Sequence, residues 1–170
     1  MRKEVPENEK LNDIEKKLVK LLKEKGMKAS SAESLTGGLV SKLITDVSGA
    51  SEVFECGVCS YSNRIKHEVL GVSSETLKSF TEYSEECAKE MALGVRRLAG
   101  ADIGISTTGI AGPGGGSKEK PVGTVYVGIS TKNDTNAYEF RMGEYGGRAE
   151  IRKAAAACAL FLGYEALKKL

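Results

Sequence analysis

A three-layer α/β/α domain on a mixed five-stranded sheet, mostly parallel with one antiparallel strand, is the fold class this chain predicts. Three observations predict it. Apolar runs of strand length alternate with stretches of helical periodicity as far as Thr108, and such alternation builds right-handed βαβ units with parallel strands. The next two strand-like runs are joined by a glycine-rich segment, residues 109–121, that carries no helical pattern. A parallel return normally needs a crossover helix, so that pair reads as antiparallel. Finally, 170 residues with 41% hydrophobic content suffice for one core, and no linker, repeat or low-complexity stretch divides them. Residues 1–170 therefore read as a single domain.

Taken in order, Leu11, Ile14, Leu18, Leu21 and Leu22 recur at helical spacing, lysines crowd the last turn, and Gly26 ends the helix. Residues 27–33 follow as the first strand and 35–46 as a helix. Ser48-Gly49-Ala50-Ser51 turns the chain into a second strand over 52–61. Ser62 opens a short helix that Gly71 ends, and Ser73 or Ser74 caps another. Ser84 caps the longest of the three, with Glu85 and Glu86 in its first turn, Arg96 and Arg97 in its last, and Gly100 as terminator. Strands are predicted over 102–108, 122–131 and 137–142, then an alanine-rich helix over 148–170. If the first strand lies between the second and third, its C-terminal end is a topological switch point, where ligands of open α/β sheets bind.

Composition narrows the function classes. Lys and Arg number 25 against 23 Asp and Glu, a net charge of +2, so no nucleic-acid or membrane surface is demanded. The chain has neither an apolar run long enough to span a bilayer nor the apolar core of a signal peptide at residues 1–6, and a cytoplasmic protein is expected. Of the four cysteines, Cys56 and Cys59 have redox-pair spacing, but they fall inside a strand, where residues three apart face opposite ways. Free thiols are expected. His67, the one histidine, reads as a surface or loop-edge residue, so neither a metal centre nor a histidine-based triad is indicated.

Three strand ends carry the unusual residues. The first is Ala32-Glu33-Ser34-Leu35-Thr36-Gly37-Gly38, where a strand turns into a helix. Ser34 is there either a helix N-cap or a nucleophile, with backbone donors of Thr36, Gly37 or Gly38 holding an oxyanion. A hydroxyl committed to a cap is less free to attack. The second is Tyr61-Ser62-Asn63-Arg64-Ile65-Lys66. A desolvated Lys66 would serve as base and Tyr61 would relay a proton; an exposed lysine and an ordinary strand tyrosine are the alternatives. The third runs from Thr107 and Thr108 through Gly109 and Gly112 to Gly114 and Gly116. It matches neither a Walker A loop nor a Rossmann fingerprint, which leaves a backbone anion nest or a flexible connection. Arg148 and Arg152 share one face at the start of the last helix, where a planar guanidinium suits phosphate.

Together these segments resemble the C-terminal domain of the competence/damage-inducible protein CinA. The motifs that carry the resemblance are Ala32 to Gly38, Tyr61-Ser62-Asn63 with Lys66, and Gly109-Ile110-Ala111-Gly112-Pro113 through Gly116 to Lys120-Pro121-Val122-Gly123-Thr124-Val125. The likeness extends over nearly all of the chain after residue 10. It implies a nicotinamide-nucleotide amidase, which hydrolyses the carboxamide of nicotinamide mononucleotide to nicotinate mononucleotide and ammonia in pyridine nucleotide recycling. It further implies Ser34, Tyr61 and Lys66 as the catalytic set, and a homodimer. Neither cofactor nor metal is expected. Thr36, Gly37, Gly38, Thr108, Gly109, Gly112, Gly114 and Arg148 are the expected substrate-binding residues. Many relatives carry an additional N-terminal domain similar to molybdopterin-binding proteins, which implies that this chain is a stand-alone enzyme or an excised piece. The rival reading is a nucleotide-binding regulatory module without turnover, linked to competence or DNA damage. It predicts tight binding of a phosphate ligand with no deamidation, and an exposed Lys66 far from Ser34 would favour it.

Overall fold

The computed structural model describes all 170 residues. Five strands form one sheet in the order β2-β1-β3-β4-β5: β1 (Ala29–Glu33), β2 (Phe54–Cys59), β3 (Ile103–Gly109), β4 (Thr124–Ser130) and β5 (Thr135–Arg141). β1 runs parallel to both neighbours, and β4 is antiparallel to both of its own, as the helix-free loop predicted. The first strand thus sits between the second and third. Its connection to β2 crosses one face of the sheet and its neighbour β3 is reached across the other, which opens a crevice at its C-terminal end.

One face is covered by α2 (Ile14–Lys25), α3 (Leu39–Thr45) and α7 (Arg148–Leu167). Leu18, Leu22, Ile44, Ile105, Val127, Phe140 and Leu160 form the main core there. The other face carries α6 (Glu85–Ala99), preceded by the short α4 (Asn63–Glu68) and α5 (Ser74–Ser79). Met91 and Val95 of α6 are fully buried, a contribution of about 1.5–3 kcal/mol each. The closeness of α6 depends on two strand glycines. A Cβ at Gly104 or Gly128 would lie 2.2 Å from the carbonyl of Ala92 or Ala88.

Several boundaries differ from the sequence expectation, each for a local reason. The first helix is divided: α1 (Asn8–Leu11) stops, Asp13 takes φ +52°, and α2 begins afterwards. The helix expected from residue 35 begins at Leu39, because Gly37 and Gly38 at φ +59° and +95° coil residues 34–38 into a turn. A 3₁₀ turn over Ala50–Glu52 delays β2, and another over Gly143–Tyr145 precedes α7. All four cysteines are free. His67 is exposed, with Nδ1 2.7 Å from the Val72 carbonyl oxygen. No helix is long and apolar enough to cross a membrane.

Candidate active site

The parallel strands β1, β2 and β3 end at one edge of the sheet, beside a cavity of about 130 Å³. Its wall includes Ser34, Leu35, Tyr61, Asn63, Lys66, Glu82, Tyr83 and Arg148, with Gly109, Ile110, Ala111, Gly112, Gly114 and Gly115. A second hollow of about 150 Å³ lies at the opposite end of the sheet. It is lined by Lys3, Lys169, Asp134 and Glu165 among others, and it offers neither a serine or cysteine nor a buried amine. The chemistry-bearing side chains are therefore at the switch point.

Ser34 is 6% exposed, and the sole hydrogen-bond partner of its Oγ is the Lys66 amine, whose Nζ donates at 3.2 Å. The hydroxyl does not cap α3. The N-cap of that helix is Gly38, which has no side chain to offer. The cap is supplied by Glu33. Its buried carboxylate accepts from the backbone N–H of Gly38 and Val40, both at 2.9 Å, and from the Ser41 N–H at 2.8 Å and Oγ at 2.7 Å. A carboxylate also suits the positive end of the helix dipole. Glu33 thereby releases Ser34 from the task a serine usually performs at such a place.

Lys66 lies on α4, whose start is fixed by Ser62 accepting from the Ile65 N–H. The residue is 1% exposed, and Nζ donates also to the Ser60 carbonyl oxygen at 2.9 Å. Burial pushes the amine below the ordinary lysine range, while the nearby Cys87 and Glu82 pull it partly back. A lysine with a depressed pKa, touching a free serine hydroxyl, has the properties of a general base.

The expected oxyanion cradle at Thr36, Gly37 and Gly38 lies outside the cavity wall. The Gly38 N–H is already committed to Glu33, and neither Gly37 nor Gly38 lines the cavity. Thr36 is fully buried with its Oγ1 2.7 Å from Thr107 Oγ1, and Thr108 Oγ1 donates to the Glu82 carbonyl at 2.6 Å. Both threonines brace loops and stand outside the cavity wall. The cavity wall offers instead the main chain of Leu35 and of the loop 110–123. The N–H groups of Leu35, Ala111, Gly112, Gly114 and Gly115 engage no backbone carbonyl, and all five residues face the cavity.

The two arginines of α7 divide their work. Arg148 spans the mouth, donating from Nη1 to the Gly112 carbonyl at 2.8 Å and from Nη2 to the Tyr61 hydroxyl at 3.0 Å. Arg152, one turn on, donates to the carbonyls of Leu35 at 2.9 Å and Thr36 at 2.7 Å and so braces the serine turn. Tyr61 is 67% exposed, and its hydroxyl bonds Arg148, not Ser34 or Lys66. The proton relay expected of it lacks the required contact. Gly109, Gly112, Gly114 and Arg148 do line the cavity with Ser34 and Lys66.

Sequence reasoning missed Glu33, Glu82, Tyr83 and the bracing role of Arg152. Glu33 alone left a trace, a carboxylate at the end of a strand otherwise apolar or small.

The comparisons with known proteins agree with this fold. The chain is 49% identical over 147 residues to a CinA-like protein of Kosmotoga olearia, covering 86% of this chain but 35% of that relative. It is 46% identical over 151 residues to a nicotinamide-nucleotide amidohydrolase PncC of Enterobacter agglomerans, covering 89% of this chain and 92% of the relative. Thus the chain spans about a third of the longer relatives and nearly the whole of the shorter one. The solved structure of competence/damage inducible protein CihA from Agrobacterium tumefaciens superposes with a TM-score of 0.88 at 38% identity, covering 94% of this chain and 96% of that one. The model of the CinA C-terminal domain matches residues 11–167, and the chain belongs to that family.

Proposed function

We propose that this chain hydrolyses the carboxamide of nicotinamide mononucleotide, giving nicotinate mononucleotide and ammonia. The observation that carries the reading is the contact between a serine hydroxyl free of capping duty and a buried amine at 3.2 Å. Neutral Lys66 takes the Ser34 proton as Oγ bonds to the carboxamide carbon. The Leu35 N–H, just after the nucleophile, and the loop amides stabilise the oxyanion, at about 3 kcal/mol per well-placed donor. Protonated Lys66 then gives its proton to the departing nitrogen, and ammonia leaves an acyl-serine. Water, deprotonated by the same amine, attacks the ester; Ser34 recovers its proton and the carboxylic acid product is released as its carboxylate. Arg148 and the amides of Gly112, Gly114 and Gly115 receive the phosphate, and Tyr61 steadies Arg148.

The name and matching length of the Enterobacter agglomerans relative support the choice of substrate. An exposed lysine far from the serine would favour the rival, a binding module without turnover, and the burial and contact of Lys66 do not give it that support. The direct test is to incubate purified protein with nicotinamide mononucleotide and measure ammonia together with the mass of the nucleotide product. No ammonia at enzyme concentrations near that of substrate would remove the proposal.

Arg148→Ala separates binding from chemistry. Its guanidinium meets the phosphate equally in ground and transition states, so KM is expected to rise about 10- to 100-fold with kcat within a few-fold of wild type. Steady-state kinetics on nicotinamide mononucleotide read this directly. A fall in kcat at unchanged KM would place the arginine in the chemical step instead.

A further inference from the structure

We infer that Glu82 makes this pocket selective for a nucleotide whose nicotinamide ring is a cationic pyridinium. The inference rests on the nicotinamide-nucleotide reading above and names what within the site would recognise the ring. Residues 80–83 are held to the rest of the molecule by bonds that do not involve the Glu82 carboxylate. Lys120 Nζ donates to the Phe80 carbonyl at 3.2 Å, the Thr81 hydroxyl at 3.2 Å and the Tyr83 carbonyl at 2.6 Å. Thr108 donates to the main-chain oxygen of Glu82 at 2.6 Å. Thr81 sits at φ +69° between them. A tethered turn thus presents Glu82 and Tyr83 to the cavity that holds Ser34 and Lys66.

In the free protein the carboxylate has no strong partner, although the Tyr83 hydroxyl and the Lys66 amine lie close enough to feel its charge. It makes no ion pair, and its bond from Asn63 Nδ2 is a long 3.4 Å. Lys66 cannot be its counter-charge while acting as a neutral base. Arg148 is already directed at Gly112 and Tyr61. A pocket meant only for a phosphate and a neutral amide would be better without a carboxylate, because like charges repel. The conflict disappears when the ligand brings a positive charge. An N-glycosylated nicotinamide carries one on its ring, and the two tyrosines beside Glu82 in the cavity wall, Tyr61 and Tyr83, offer aromatic faces that also favour a cation.

The test uses two ligands of one shape. Nicotinamide mononucleotide and its dihydro form share the ribose phosphate and the carboxamide, but only the first has a charged ring. Their affinities are measured by calorimetry on Ser34→Ala protein, which keeps the ligand intact, with and without Glu82→Gln. The parent is expected to prefer the charged ring by about tenfold or more, and Glu82→Gln to weaken the charged form by that factor while leaving the dihydro form unchanged. Glutamine preserves the size of the side chain and the main-chain oxygen that Thr108 uses, so the turn stays in place. Equal affinity for the two ring states in the parent, or a preference that survives Glu82→Gln, overturns the inference. Ammonia release from nicotinamide mononucleotide by the wild type then shows whether the nucleotide reading still stands.

Discussion

Ser34→Ala is expected to lower ammonia release by about 1,000-fold or more, Lys66→Met by a similar factor, and the double variant by no more than either alone. A nucleophile and the base that activates it act as one unit, so removing the second partner after the first has little left to remove. Two independent binding residues would instead multiply their losses. The lysine variant carries a further expectation. Lys66 is 1% exposed, and a buried ammonium is unfavourable by several kcal/mol. Methionine fills a similar volume without charge, while leaving the Ser60 carbonyl without its 2.9 Å donor costs about 1–3 kcal/mol. The variant is therefore expected to melt no lower than wild type although it is inactive. Loss of activity with loss of stability would mark Lys66 as a structural residue.

The pH dependence follows from the same amine. Its folded-state pKa is depressed below the ordinary lysine value, chiefly by burial. The base form is the neutral one, so kcat/KM rises with pH through that depressed pKa and levels off above it. Stability moves in the same direction. The unfolded chain binds a proton on Lys66 in the interval between the depressed pKa and the unfolded value of about 10.4, where the folded chain does not. This contribution therefore stabilises the fold as pH rises across that interval, and the full penalty applies below it. Lys66→Met removes the contribution, which a comparison of melting temperatures across pH detects.

Much of the fold was legible because its signals are local. Alternating Val125, Val127 and Ile129 mark β4, and Ser84 with Glu85 and Glu86 marks the start of α6. Ser34 and Lys66 could be singled out because strand ends in an open α/β sheet meet at one edge, and the structure brings the two within hydrogen-bond distance. The rest depends on tertiary geometry. Nothing in Thr36 or Thr108 distinguishes a hydroxyl that braces a neighbouring loop from one that meets a ligand, and both turn out to brace. Gly37 and Gly38 suggested an amide cradle; their actual service is the left-handed backbone that folds residues 34–38 into a turn. Glu82 lies in a connecting segment, and tethers from Lys120 and Thr108, far along the chain, hold that segment beside the cavity.

Glu33 is the clearest case of a contact invisible to a capping rule, and it supports the second large effect. Capping reasoning inspects the residue next to the helix, whereas this carboxylate lies five positions before the N-cap and returns to it because the intervening turn coils back. Each of its oxygens faces only donors: Oε2 takes the Gly38 and Val40 amides, Oε1 the Ser41 amide and hydroxyl. Glu33→Ala leaves these amides without an acceptor and is expected to cost about 3–5 kcal/mol. At about 2–4 °C per kcal/mol for a chain of this size, the melting temperature falls by roughly 10 °C. Glu33→Gln is expected to lose about half as much. Its amide nitrogen can turn to the Ser41 side, where the hydroxyl can rotate to accept, yet the Ser41 N–H then meets a donor. The order wild type, Gln, Ala in calorimetric melting is specific to a carboxylate that accepts on both sides; a side chain that merely fills space would rank Gln beside wild type. Hydrogen exchange at Gly38, Val40 and Ser41 should accelerate in the same order. Because the turn it closes also carries Ser34, ammonia release should fall with it, and an alanine variant that melts and reacts like wild type would mean the serine turn is held by Arg152 alone.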